Sequence, residues 1–443
     1  MSAELKPSVG VVVLDYDGGE ITLECLRSIA ATEWPSDRLH VVLVDNASKQ
    51  PTVARVRVEL PDVQVVQSSR NLGFAGGVNL GVAALPDVEY VALVNNDVTV
   101  SPDWLAPLVD AFSGRERMGA ACPKILFADR FVDVEIDVDA TRRLASDRRE
   151  LGVRVSGVTL GGVDVTARSQ LVEGFWGPEH GIAGERSYQW TKHRALLRIP
   201  ADPEVRTARI ELAAGDSAHV TATSGTAHTS LDVGPGATWY EIGLGDERFD
   251  VVNNVGNEVV ADGYGADRGY MERDHGQYDE PAEVFAWCGA AVLLSTAYLD
   301  DVGLLDERLF MYYEDLELSW RGRDRGWWYW TAPASVVRHV HAATSGEHTR
   351  FFDHFNERNH LLVLLRHGRA GQVAKAFARH VLVTGSYAQR DIVAPKLRGD
   401  RSSTESVRRR TRALLGAVRR SPGMLRSRSR DRGRARTIPA REH

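Results

Sequence analysis

A chain of 443 residues, 43% of them apolar and 26% charged, with a formal net charge of −6, exceeds one ordinary hydrophobic core and can bury two or more; a multidomain globular protein is expected. Its three cysteines, Cys25, Cys122 and Cys288, form no CxxC pair and no disulfide framework, and the opening MSAELKPSVG has no apolar signal-peptide core. The longest uncharged run, 284–299, is interrupted by Gly289 and Ser295 and falls short of the roughly 18–20 apolar residues that cross a bilayer, so no transmembrane helix and a cytoplasmic location are expected.

From the N-terminus, the continuous apolar run 9–14 predicts a buried parallel strand, and the spacing of Leu23, Leu26, Ile29 and Ala30 predicts a helix over 21–31. A strand over 41–44 leads into Asp45-Asn46-Ala47-Ser48, and strand, helix and strand recur over 63–67, 76–85 and 90–94. This alternation predicts a doubly wound α/β sheet, with its ligand crevice beyond the carboxyl ends of the strands. Tyr16, Asp45, Arg70 and Asp97 all fall at or just after such ends.

Each of these positions carries two readings. Asp45 either caps the following helix or accepts the N3 proton of a uracil or thymine. Asn71-Leu72-Gly73-Phe74-Ala75-Gly76-Gly77-Val78-Asn79 matches neither the P-loop nor the GxGxxG fingerprint; its glycines serve a tight turn or the close approach of a ligand. VALVNNDVTV ends an apolar run in Asn95, Asn96 and Asp97. There Asp97 is either a solvated strand-end acid or the ligand of a hard cation, which takes only one or two protein carboxylates when it also holds a diphosphate.

Beyond 123–126 the pattern changes to short alternating segments at 194–200, 208–214, 218–224 and 238–244, separated by Gly, Asp, Ser and Pro clusters. They predict an all-β sandwich over about 134–248, splitting the α/β domain in two. Helical and aromatic character returns over 284–365, where FMYYEDLELSW (310–320) sets Glu314 and Asp315 behind aromatic residues at the start of a predicted helix. As first-turn acids they suit the helix dipole; shielded by Phe310, Tyr312 and Tyr313, a carboxylate there also acquires the raised pKa of a general base. Trp327, Trp328, Tyr329 and Trp330 fit a core or a sugar-stacking face, and His339 is either structural or an imidazole for the cation, with His341 as the competing choice.

The last stretch, from Lys396 to His443, holds sixteen Lys/Arg against four Asp/Glu. Two readings stand: a solvated, disordered end, or attraction to an anionic membrane surface. Leu414, Leu415, Val418, Met424 and Leu425 among the arginines read as a basic amphipathic surface helix, which favours membrane over nucleic acid, and no nucleic-acid partner is expected.

Taken in order, VVVLDYDGGEITLECLRSI, VVLVDNAS, SSRNLGFAGGVNLGV, YVALVNNDVTVSPDWL, CGAAVLL, GLLDERLFMYYEDLELSWRGRDRGW, APASVVRHVHAATSG and FNERN resemble the bacterial family 2 glycosyltransferases of the rhamnosyl- and galactofuranosyl-transferase type. The resemblance covers about 1–130 and 249–365. It implies a GT-A fold, a nucleotide-sugar donor (dTDP-rhamnose or a UDP-sugar), Mg2+ or Mn2+, inversion at the anomeric carbon, and a glycan or polyprenyl-linked acceptor in cell-envelope polysaccharide synthesis. It also implies roles: Asp315 as catalytic base; Leu14, Tyr16, Asp45, Arg70, Asn71 and Asn96 around the donor nucleotide; Trp287 and Glu314 at the acceptor or sugar; Asp97 and His339 at the metal. The chain then divides into 1–133 and 249–365 as the two GT-A parts, 134–248 as the inserted sandwich, and 366–443 as a helical, basic, partly disordered tail that can hold the enzyme on the inner face of the membrane. Two departures from the family pattern are Asp15-Tyr16-Asp17, where the family has an asparagine, and the NND triplet, which is poorer in carboxylates. The rival readings are a catalytically degenerate carbohydrate-binding scaffold and a sugar nucleotidyltransferase; the latter calls for a basic Gly-rich loop near the N-terminus, and 14–20 has no Arg or Lys.

Overall fold

A computed structural model of the chain describes residues 6–143, 149–179, 186–260, 263–340, 349–398 and 402–435. The described residues separate into two compact units, one made of 1–128, 253–270 and 276–443, the other of 129–252 and 271–275.

The first unit is the expected α/β fold. Its sheet contains β1 (Val9–Asp15), β2 (Leu39–Asp45), β3 (Gln64–Gln67), β4 (Tyr90–Asn95), β5 (Val98–Val100), β6 (Met118–Phe127), β7 (Ala291–Ser295) and β8 (Trp328–His339). The order is β8-β6-β7-β4-β1-β2-β3, with β5 paired to the end of β8. β4, β1, β2 and β3 run parallel, while β7 runs antiparallel to both neighbours, so the sheet is mixed. Side chains alternate between two buried faces, which explains the continuous apolar run of β1. Val9, Val11 and Val13 pack with Leu23, Leu26 and Ile29 of α1 (Glu20–Ala30), and Val12 with Ala75 and Val78 of α3 (Gly73–Ala84) on the other face. A short α2 (Thr52–Glu59) lies between them in sequence.

After β7 the chain forms α4 (Glu314–Arg323), then β8, and then three long helices: α5 (Arg350–His367), α6 (Ala370–Ala388) and α7 (Glu405–Ala435). Leu361, Leu362, Val363 and Leu364 of α5 share a core with Ala376 of α6 and Ala417 and Met424 of α7. The basic end is therefore not a disordered tail over 405–435: it is a helix with one face packed into the unit.

The second unit is an all-β sandwich. One layer holds Phe131–Val138, Ala218–Ser224 and Ala227–Val233, the other Val153–Leu160, Thr207–Ala214 and Thr238–Gly243. The strand Gln189–Pro200 belongs to both, since Arg194–Pro200 pair with Phe131–Asp137 and Gln189–Trp190 pair with Arg154–Val155. Val134, Ile136, Leu197, Ile199, Ile210 and Val220 fill the space between the layers.

Candidate active site

The parallel strands end in register: Asp15 of β1 lies beside Asp45 of β2, and Leu14 beside Asn95 of β4. A cavity of about 750 Å³ opens off these ends. Of the residues singled out by sequence, Leu14, Tyr16, Asn71, Asn96, Asp97, Glu314, Asp315 and His339 line it; Asp45, Arg70 and Trp287 do not.

The wall nearest the strand ends is organised by Asp15, fully buried. Its Oδ1 accepts from the Gly18 amide (3.0 Å), Thr22 Oγ1 (2.6 Å) and Asn96 Nδ2 (3.2 Å), and its Oδ2 from Ser48 Oγ (3.2 Å). A carboxylate with four donors fixes the loops after β1, β2 and β4 relative to one another, which gives the aspartate that departs from the family pattern a structural task. Asn46 does the same for the glycine-rich loop: Nδ2 donates to Asn71 Oδ1 (3.2 Å) and the Gly73 carbonyl (3.1 Å), and Oδ1 accepts from the Leu72 amide (2.8 Å). Asp45 faces away from the cavity. Its oxygens accept from the Ser48 amide (2.9 Å) and Gln67 Nε2 (3.0 Å), which ties down the turn after β2; it does not cap the next helix, whose N-cap position is Pro51 with no side-chain cap bond. Arg70 is exposed and off the lining.

Asp97 and His339 meet across 242 residues of sequence, His339 Nε2 lying 3.1 Å from Asp97 Oδ1, with both side chains more than nine-tenths buried. The other ring nitrogen, Nδ1, lies 2.9 Å from Asn253 Oδ1. An imidazole nitrogen and a carboxylate oxygen at this spacing can serve as two adjacent ligands of one divalent cation. No group of three or more His, Cys, Asp or Glu that could hold a metal ion is present among the described residues; the donor set fits a divalent ion that draws its remaining ligands from a diphosphate and water. His341 lies outside the described residues.

Across the cavity stands the N-terminus of α4. Glu314, Asp315 and Glu317 occupy its first turn and Arg321 and Arg323 its last, both as the helix dipole favours. Asp315 Oδ2 accepts from the Gly289 amide (3.1 Å) and Oδ1 from the Leu316 amide (2.7 Å). Burial nonetheless pushes its carboxyl up to about 6, with Asp267 adding repulsion. Glu314 is raised further by burial and by the Asp315 charge, and its Oε2 has no hydrogen-bond partner.

The approach to α4 is strained: Phe310, Tyr312 and Tyr313 have φ of 66°, 67° and 72°, a region that side chains avoid. The FNERN segment on α5 holds it. Asn359 Nδ2 sits 2.9, 2.8 and 2.7 Å from the carbonyls of Leu309, Met311 and Tyr312, and Arg358 Nη2 donates to Leu309 (2.6 Å). Phe310 stacks on Phe355, and its carbonyl accepts from the Ala75 amide (3.2 Å), joining this turn to the glycine-rich loop.

Trp287 is corrected by its burial. With 0% of its surface exposed, packed with Tyr298, Leu318 and Tyr329, it has no face to offer a sugar. Sequence reasoning missed Asn46, Asn253, Asn254, Asn257 and Asp267 on the lining. The run Asn253-Asn254-Val255-Gly256-Asn257, dense in side-chain amides just after the sandwich, was the available signal.

Residues 8–133 match the family description Glycosyl transferase family 2. Over 126 residues, 26% of the chain, it is 31% identical to the N-acetylglucosaminyl-diphospho-decaprenol L-rhamnosyltransferase of two Mycobacterium tuberculosis strains, and the match spans 40% of those relatives' length. Among solved structures it resembles GalNAc-T7 with UDP, GalNAc and Mn2+ (13% identity, TM-score 0.44, covering 81% of this chain and 48% of that one). It also resembles the mannosyltransferase PcManGT from Pyrobaculum calidifontis in complex with GDP-Man and Mn2+ (13% identity, TM-score 0.37, covering 98% and 76%).

Proposed function

We propose that this chain, which carries a family 2 glycosyltransferase domain over residues 8–133, is an inverting, metal-dependent glycosyltransferase that moves a sugar from a nucleotide-sugar donor to a glycan or lipid-linked acceptor. The observation that carries the reading is the placing of two chemistries on one cavity: the Asp97–His339 pair at the strand ends and the buried Glu314–Asp315 pair at the start of α4. The curated relative's name specifies an L-rhamnosyl donor and a diphospho-decaprenol acceptor, and on that similarity we take a rhamnosyl nucleotide and a polyprenyl-linked acceptor as first candidates.

Asp97 and His339 are the residues to hold Mg2+ or Mn2+, which when bound neutralises charge on the departing nucleoside diphosphate. Leu14, Tyr16, Asn71 and Asn96 line the donor side, and Asp45 and Arg70 act on it only through the loops they belong to. Asp315, ionised above a pH of about 6, takes the proton of the acceptor hydroxyl as that oxygen attacks the anomeric carbon. Glu314, held neutral, donates a hydrogen bond to sugar or acceptor. One displacement with base and leaving group on opposite sides inverts the configuration, and base catalysis of this kind is worth about 10² to 10⁴ in rate.

A thermal-shift panel of dTDP-, UDP- and GDP-sugars with Mn2+ tests the donor site, because a ligand that binds only the folded state raises its melting temperature. The expected result is a metal-dependent shift with one nucleotide class that Asp97→Ala abolishes and His339→Ala reduces. The same shift in both variants, or none with any donor, contradicts the assignment.

A further inference from the structure

The proposed reaction leaves α7 unused, and the surface of that helix is not uniform. At about 100° per residue, Ala413, Ala417 and Met424 fall on one side and are fully buried, the latter two in the core with Leu361 and Leu364. The opposite side is exposed from Arg408 to Arg430 and divides into two strips. Leu415, Val418 and Leu425, 62%, 53% and 48% exposed, make one, together with Thr411, Pro422 and Ser429. Arg408, Arg412, Arg419, Arg426 and Arg430 make the strip beside it, all exposed.

No acid enters either strip. Glu405 pairs with Arg350 and Asp431 with Arg366, and the acids Asp353 and Glu357 of α5 are taken by Arg409 and Arg410. Among the described residues the five strip arginines have no carboxylate partner, while three large apolar side chains beside them remain in water.

We propose that this face of α7 is a docking surface for an anionic phospholipid bilayer. The apolar strip enters the boundary between headgroups and acyl chains, and the arginine strip meets the lipid phosphates. A single-stranded nucleic acid would want aromatic stacking platforms between its cations, and neither strip contains an aromatic residue. The inference is independent of the transfer reaction, since it concerns only the surface of this helix.

The test is co-sedimentation of the full chain with vesicles of phosphatidylcholine alone and of phosphatidylcholine mixed with phosphatidylglycerol. We expect binding to the mixed vesicles only, weakened by high salt, and lowered about a hundredfold or more when the five strip arginines become Gln. A second variant, Leu415→Gln with Val418→Gln and Leu425→Gln, retains every charge and still loses binding. Both variants alter exposed positions, so both keep the parent melting temperature. Equal binding to neutral and anionic vesicles, or parent-like binding by either variant, overturns the proposal, as does binding to an RNA oligonucleotide in the absence of vesicle binding.

Discussion

Asp315 keeps both oxygens on backbone amides, of Gly289 and Leu316, yet burial pushes its carboxyl up to about 6. Two expected outcomes follow from that one group. The transfer rate falls about tenfold per pH unit below pH 6 and levels above it, and Asp315→Asn lowers transfer by about 10² to 10⁴ while nucleotide binding is retained. Because the folded carboxyl holds its proton to a higher pH than the unfolded one, its burial costs nothing below the ordinary range near 4. The cost grows as pH rises to about 6, so Asp315→Asn is more stable than the parent at pH 7.5 by about 3 kcal/mol, with the difference closing near pH 4. Glu314→Gln instead leaves the pH limb in place, since the Asp315 carboxyl that sets it is retained. Thermal melts and rate–pH profiles check all three. At this scale the sequence pointed to Asp97, Asp315 and His339 through residue type and position. It did not separate Asp45, turned onto Ser48 and Gln67, from its neighbour Asn46, which lines the cavity, because adjacent residues at a strand end differ only in direction.

The element on which the site depends is the turn before α4. Three left-handed residues there are stabilised by one amide, Asn359, whose loss leaves the Leu309, Met311 and Tyr312 carbonyls without that donor. Asn359→Ala is expected to cost about 2–4 kcal/mol in chemical denaturation and to lower kcat more than nucleotide affinity. Gly73→Ala acts on the facing loop: Gly73 has φ 73°, and an added Cβ would collide with the Phe310 carbonyl and ring. A comparable loss of stability is expected. The strands β1, β2 and β4 were legible because they are uninterrupted apolar runs buried on both faces. Two elements were not. α2 buries only Thr52, Val53 and Val56, too few for a periodic signal. β6 contains Pro123 and Lys124; the proline is tolerated beside a register shift between Ala332 and Val336, and the lysine, 5% exposed, pairs with Asp279.

At the scale of the whole chain, the sandwich has a core of its own, and a fragment spanning 129–252 is expected to unfold in a single cooperative transition. The C-terminal helix behaves in the opposite way. The amphipathic pattern of its sequence predicts the helix that forms, but not that the helix packs, because two of the three residues on its buried face, Ala413 and Ala417, count for little in an apolar pattern. Asp431 reaches Arg366, which also meets Asp306 and the fully buried Glu317 of α4. Ending the chain near residue 398 therefore uncovers Leu361–Leu364 and breaks this network, and a lower melting temperature with aggregation is expected. The central claim, that the cavity joining Asp97 to Asp315 transfers a sugar, is tested most directly by nucleoside-diphosphate release from dTDP-, UDP- and GDP-sugars with Mn2+ present and after chelation. The expected result is metal-dependent release from one donor class by the parent chain, lost in both Asp315→Asn and Asp97→Ala; release that persists in those variants or after chelation, or no release from any donor, overturns the assignment.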